Sequence, residues 1–286
     1  MRTDRTFSVS SMLGLFIHCF AACTNAHAIP VPLLTTDNRI VSSTGNGQVQ
    51  GYNGSWDQSA VPLPSYSTFD TYMDPGVDFE SLPAPPHESS YFLLITDVEQ
   101  NSSVTPAMFT GSGVAGMGTG VENSNLEAAA EMHVQSLFDV EFSLTESYMA
   151  NLIATLSLLP AYTFSDGTAN GQAFISLMNN VTMTPIFSYS YDYTDGIILN
   201  QEIVDAALLG PGSYEFLVGV SNDISYVGYA DFGYNHTQGW GNYDFRMNLT
   251  RVPEPASLAL MGLGLVLLAY LNKPKWSLIA SLYKHC

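Results

Sequence analysis

Between Arg39 and Arg246 the chain contains no lysine and no arginine. It has 8 basic residues against 26 acidic ones, and all the acidic residues but Asp4 and Glu254 lie between Ile29 and Thr250. A surface so short of cations cannot displace the counterions condensed on a phosphate backbone, which excludes nucleic-acid binding. Anionic lipid headgroups would repel it for the same reason, so peripheral membrane binding is excluded too.

Cysteine is missing from the same region. Cys19 and Cys23 lie near the start, Cys286 is the last residue, and the body between them has none. A disulfide framework and a thiolate zinc site are therefore excluded there. Charged residues make up 12% of the chain, about half the usual share, so Ser, Thr, Asn, Gly and Tyr must supply the polar surface. With 46% hydrophobic and 12% aromatic residues, a core is available and wholesale disorder is excluded.

Catalytic signatures are scarce. No Gly-x-Ser-x-Gly elbow occurs, and Gly111-Ser112-Gly113 reads as part of a glycine-rich loop. The body histidines His87, His133 and His236 have no metal-ligand spacing, and His133 reads as a solvated residue on a polar strand face. There is no phosphate loop or dinucleotide fingerprint. The expectation is a protein that is not an enzyme and has no cofactor. Glu131, Asp139 and Glu141 share a strand face that reads as solvated, and a glycosidase pair, being assembled by the fold, would not show in spacing. Asp192 and Asp195 are candidate calcium ligands. Their segment lacks the alternating third oxygen and closing Glu of a twelve-residue calcium loop, and Asp-Gly is first of all turn chemistry.

Both ends are more informative. Residues 1–28 read as a secretory signal peptide: Arg2 and Arg5 precede a short apolar run, and Ala26 and Ala28 are the small residues before a signal peptidase cut. Phe20-Ala21-Ala22-Cys23 distantly resembles a bacterial lipobox, which makes lipidation a rival reading. At the other end, Val252-Pro253-Glu254-Pro255 precedes an apolar stretch over residues 256–271, followed by Lys273 and Lys275. The stretch is near the lower length limit for crossing a bilayer, and its lysines would remain in the cytoplasm. The two prolines hold the preceding segment extended and accessible.

Val252 to Lys275, together with the signal peptide, resembles the PEP-CTERM sorting signal of Gram-negative bacteria. That resemblance implies recognition by an exosortase and processing near Pro253-Glu254-Pro255. The chain would hold the membrane through its C-terminal helix in transit, then reach the cell surface or exopolysaccharide matrix. The family's Arg-rich end is replaced by two lysines around Pro274, and residues 276–286 follow as a cytoplasmic tail. A retained, plain single-pass anchor is the alternative.

The body reads as β. Residues 29–89 hold eight prolines with Asn46-Gly47 and Asn53-Gly54 as turn signals, which predicts a loosely structured arm with one or two short strands. Residues 90–251 show strand periodicity. On even positions from Ala128 to Leu144 eight of nine residues are apolar, against two of nine on the odd positions 129 to 145. That pattern would run roughly 55 Å as one strand, so a bend or strand switch is expected near Ser136. Pro160 ends a run from Tyr148 to Leu159, Pro185 argues for a bulge or edge strand, and Tyr243, Phe245, Met247 and Leu249 face inward on the last strand. The expected fold is all-β: an antiparallel two-sheet sandwich of jelly-roll type.

Tyr226, Tyr229, Tyr234, Trp240 and Tyr243 crowd one Gly- and Asn-rich stretch. Sugar rings stack on exposed aromatic faces, so Trp240, Tyr234 and Tyr229 are candidate contacts to exopolysaccharide. The reading is a structural or glycan-associated surface component. An extracellular polysaccharide hydrolase is the alternative.

Overall fold

The computed structural model describes residues 31–49, 52–62, 66–78, 91–122, 127–160, 167–229, 235–253, 261–265 and 267–268. Five strands come from the N-terminal third: β1 (Leu33–Asp37), β2 (Ile40–Val49), β3 (Tyr52–Ala60), β4 (Thr68–Met73) and β5 (Gly76–Asp78). Nine follow: β6 (Tyr91–Thr105), β7 (Met108–Glu122), β8 (Glu127–Leu144), β9 (Tyr148–Leu159), β10 (Thr168–Asn179), β11 (Thr184–Asp192), β12 (Ile198–Leu209), β13 (Gly212–Tyr229) and β14 (Asn235–Arg251). They form two antiparallel sheets packed as a sandwich, not closed into a barrel. Sheet A has the order β11-β10-β13-β8-β2-β3 and sheet B the order β12-β9-β14-β7-β6-β4.

Pairing radiates from the β10–β11 hairpin. β9 pairs with β12, β8 with β13 and β7 with β14, alternate pairs falling in opposite sheets. This nesting is the rolled-up hairpin of a jelly roll. β2 and β3 widen sheet A beyond β8, while β6 and β4 widen sheet B beyond β7.

The periodicity of β8 works as expected: its even residues, from Ala128 through Phe138 to Leu144, are buried. The expected break near Ser136 is absent, because β8 is one strand of 18 residues. The change of partner falls on its neighbour instead. β2 covers Ala128 to Leu137 and β1 covers Val140 to Ser143, with Asn38 and Arg39 between them. On the other side β13 pairs with β8 over its full length. Phe109, Phe138, Phe216 and Phe245 meet at the centre of the core, with Phe138 and Phe245 edge to face at 4.7 Å.

The expected arm over 29–89 is corrected, since β1 to β5 belong to the two sheets. Inward positions on β2 are Val41, Ser43, Gly45, Gly47 and Val49, so small and polar residues hide the alternation that marks a strand. Asn46-Gly47 and Asn53-Gly54 lie within strands, and the hairpin closes where Val49 faces Tyr52. Gly111-Ser112-Gly113 likewise lies in a strand, β7, rather than a loop. Cβ atoms at Gly111 and Gly113 would lie 2.8 Å from the Phe245 ring and 2.5 Å from the Tyr243 ring. These glycines make room for aromatic core residues. Pro185 stands on edge strand β11, where the register with β10 shifts as expected.

Polar bolts cross the core. Trp56 Nε1 donates to Ser43 Oγ at 2.8 Å, Ser43 lies 2.9 Å from Thr96 Oγ1, and Thr96 donates to the Pro75 carbonyl at 2.8 Å. Ser136 Oγ donates to the Glu99 carbonyl at 2.8 Å, and Asn222 Nδ2 to that of Ala115 at 2.6 Å. The Ser43–Thr96, Ser136–Glu99 and Asn222–Ala115 contacts join sheet A to sheet B, and together these bonds satisfy buried polar groups.

Candidate functional site

The glycines of β7 have a second use. Past Ala115 the outward positions on this strand are Gly116, Gly118 and Gly120, so no side chains rise from the middle of the outer face of sheet B. β14 and β6 flank the bare strip. Trp240 on β14 is paired with Gly116, and Gly116 with Asp97 on β6; Gln238 is paired with Gly118, and Gly118 with Ile95. A trench of about 370 Å³ results, lined by Trp240, Gln238, Asp97, Ile95, Tyr72 and Asp74 among others. A Cβ at Gly116 would stand 3.1 Å from Trp240 Cδ1, so the indole leans over the glycine.

The far wall is acidic. Met73 pairs with Val98 and Gly76 with Ile95, a single register that brings Asp74 opposite Asp97 across the β4–β6 edge. Burial pushes the Asp97 carboxyl above the usual carboxylate range, and the neighbouring Asp74 charge adds to it. Tyr72 is exposed, and desolvation together with Asp74, Asp97 and Glu99 raises its hydroxyl. One wall thus carries an aromatic plane and an amide, the other two carboxylates and a phenol. Such a trench can stack a ring and accept hydroxyl protons.

Of the expected aromatic contacts, the trench holds Trp240. The backbone of Tyr229 pairs with Glu127 on the other sheet; its side chain and Tyr234 lie outside the described residues. Tyr226 and Tyr243 are core residues, with Tyr243 3.2 Å from Ser136 Oγ. Tyr72, the aromatic opposite Trp240, was hidden in the Pro-rich segment and carries no local signal of its own. The alternate glycines of β7 were the legible clue to a trench.

Asp192 and Asp195 serve a turn. Asp192 caps the 3₁₀ turn Tyr193–Asp195 by accepting from Thr194 N at 2.7 Å, while Asp195 accepts from Asp192 N at 2.9 Å. The bonds from Thr194 hold the Asp192 carboxyl below its usual range. Among the described residues no group of three His, Cys, Asp or Glu side chains could hold a metal ion.

The C-terminal junction has no slack. Arg251, the last residue of β14, pairs through Nε with Glu146, and Val252 N donates to the Ser147 carbonyl at 2.9 Å. Pro253 is exposed; Glu254 and Pro255 lie outside the described residues, as do the signal-peptide residues Ala26 and Ala28. Residues 261–265 and 267–268 are helical, with Met261, Leu263, Leu265, Leu267 and Leu268 exposed. Among the described residues no helix is long and apolar enough to cross a membrane.

Fold and junction together define a β-sandwich domain whose final strand runs directly into a short terminal signal. Residues 251–273 match the PEP-CTERM protein-sorting motif. The motif implies export, processing by an exosortase and sorting to the cell surface. No curated protein matches the chain.

Proposed function

We propose that this exosortase-sorted protein is a non-enzymatic, glycan-associated component of the cell surface or exopolysaccharide matrix. The observation that carries the reading is the row Trp240–Gly116–Asp97: an indole packed over a glycine, with a carboxylate across from it. A sugar in the trench would stack against Trp240 and donate hydroxyl protons to Asp97 and Asp74. The acidic body favours a neutral glycan over an anionic one. The test is retention of the Trp240→Ala chain on the producer's own exopolysaccharide. Retention should fall at least tenfold, and unchanged retention would defeat the reading.

Asp74 and Asp97 support polysaccharide hydrolysis as a second reading, because two facing carboxylates, one with a raised pKa, are what a glycosidase needs. New reducing ends released from the same polysaccharide, and lost in Asp97→Asn, would favour it. No release by the unaltered chain would remove it.

A further inference from the structure

The opposite side of the molecule carries a second recess. A groove of about 480 Å³ opens on the outer face of sheet A, where the register aligns side chains into rows across the strands. Thr44 on β2 pairs with His133 on β8, His133 with Asp223 on β13, and Asp223 with Asn170 on β10. Asp57 on β3, paired with Thr44, continues the row to the sheet edge. The adjacent row is Ser55, Asn46, Glu131, Ser225 and Thr168. In both rows every strand presents a hydrogen-bonding side chain.

His133 stands at the centre. Its Nδ1 lies 2.6 Å from Asp223 Oδ1, so the carboxylate fixes the ring. Among the described residues no hydrogen bond reaches Nε2, and His133 lines the groove. The rows of hydrogen-bonding side chains around this Asp–His pair suit the groove to binding a polyhydroxylated ligand. No lysine or arginine lines the groove, whereas Asp57, Glu131 and Asp223 do. Those carboxylates accept hydroxyl protons and repel anionic polymers.

Spacing identifies the shape of the ligand. Neighbouring strands are about 4.8 Å apart, close to the length of one pyranose in an extended chain, so the five-strand row spans about 19 Å. A linear glycan laid across the strands would meet one polar side chain per sugar. The geometry points to a second glycan site on sheet A, for a neutral extended oligosaccharide, so that one protein molecule holds two polysaccharide chains on opposite faces. The ligand class rests on the reading proposed for the sheet B trench; the existence of the second site rests on the sheet A rows alone.

The test counts ligands. The full-length chain, one copy per lipid nanodisc, is titrated calorimetrically with the neutral hexasaccharide fraction from partial acid hydrolysis of the producer's exopolysaccharide. Two hexasaccharides should bind per chain, with one remaining in Trp240→Ala, one in His133→Ala/Asn170→Ala and none in the combined variant. Ser225→Arg, which fills the groove from the adjacent row, should also leave one, and unchanged melting curves will confirm that each variant is folded. A single site abolished by Trp240→Ala would overturn the second site and leave the sheet B reading standing. A single site abolished by His133→Ala/Asn170→Ala would overturn the two-site count and the sheet B reading together. No binding to the unaltered chain would overturn both.

Discussion

Arg39 ion-pairs with Asp37 at 2.7 Å, with both side chains closed off from solvent. The guanidinium also donates to the Ser67 carbonyl at 3.2 Å and to Ser102 Oγ at 3.2 Å, and lies 5.8 and 5.9 Å from the ring centres of Phe69 and Phe138. Asp37 ends β1 in sheet A, while Ser102 lies on β6 of sheet B and Ser67 immediately precedes β4, so one cation bolts the sheets together where β8 changes partners. Among the described residues the cations are Arg39, Arg246 and Arg251, and this one is buried.

Arg39→Ala should therefore be among the most damaging single changes. It leaves Asp37 buried without a counter-charge, at a cost of about 3–5 kcal/mol. The double change Arg39→Met with Asp37→Leu should recover much of that loss, because the apolar pair leaves no charge unpaired. Urea unfolding of the three chains checks this, and equal losses in the single and double variants would contradict it.

The glycines of β7 make room for the core on one face and for the trench on the other. Gly111→Ala places a methyl 2.8 Å from the Phe245 ring and 3.0 Å from Ser102 Cβ, which should cost about 1–3 kcal/mol by overpacking. Gly116→Val fills the outer trench instead. The new Cβ would stand 3.1 Å from Trp240 Cδ1, so the valine should push the indole aside at some cost in stability and weaken polysaccharide retention as strongly as Trp240→Ala. Retention that survives Gly116→Val would show that the trench is not where sugar sits.

Much of this was legible in β8 and β14, where large apolar residues alternate with polar ones and burial follows the alternation. The N-terminal strands were not legible, because their inward positions are Ser43, Gly45 and Gly47 and their stability comes from pairing with β8 and β6, far along the chain. Trp240 was picked out by residue type. Its partners Tyr72 and Asp97 are brought to it by sheet register, which local patterns do not encode. His133 was read as solvated, and only the pairing of β8 with β13 brings Asp223 to it.

Stability should rise in mild acid. Burial raises the Asp139 carboxyl, with Glu141 and Asp37 adding to it against a lowering bond from Asn38; burial also raises Glu215, with Asp139 and Glu141 adding. A carboxyl raised in the folded state contributes stability that is full below the unfolded pKa, near 4, and lost as pH rises through the folded value. Asp192, which is lowered, works in the opposite sense, and its contribution is lost only as pH falls below the ordinary carboxylate range. The melting temperature should therefore climb as pH falls from neutrality toward 4, and Glu215→Gln should flatten the climb. A steady fall over that range would count against the assignment.

Tail processing should be sensitive to the junction. Val252 is still hydrogen-bonded to Ser147, and Arg251 to Glu146. A four-residue Gly-Ser spacer after Arg251 should speed removal of the tail, and Glu146→Gln should do so more weakly. Mass spectrometry of the C-terminus over time gives the rates. Equal rates in all three chains would mean that the enzyme reaches its motif without disturbing β14.

β14 lies between β9 and β7, in the interior of sheet B, yet it is the last strand before the sorting motif. Until it arrives, β9 and β7 have no bridge between them and sheet B exists as two unjoined pieces. In a chain exported from its N-terminus, the strand that closes the sandwich is the last to cross the membrane. The sandwich is thereby complete only once its last strand, which ends at the first residue of the sorting motif, is in place.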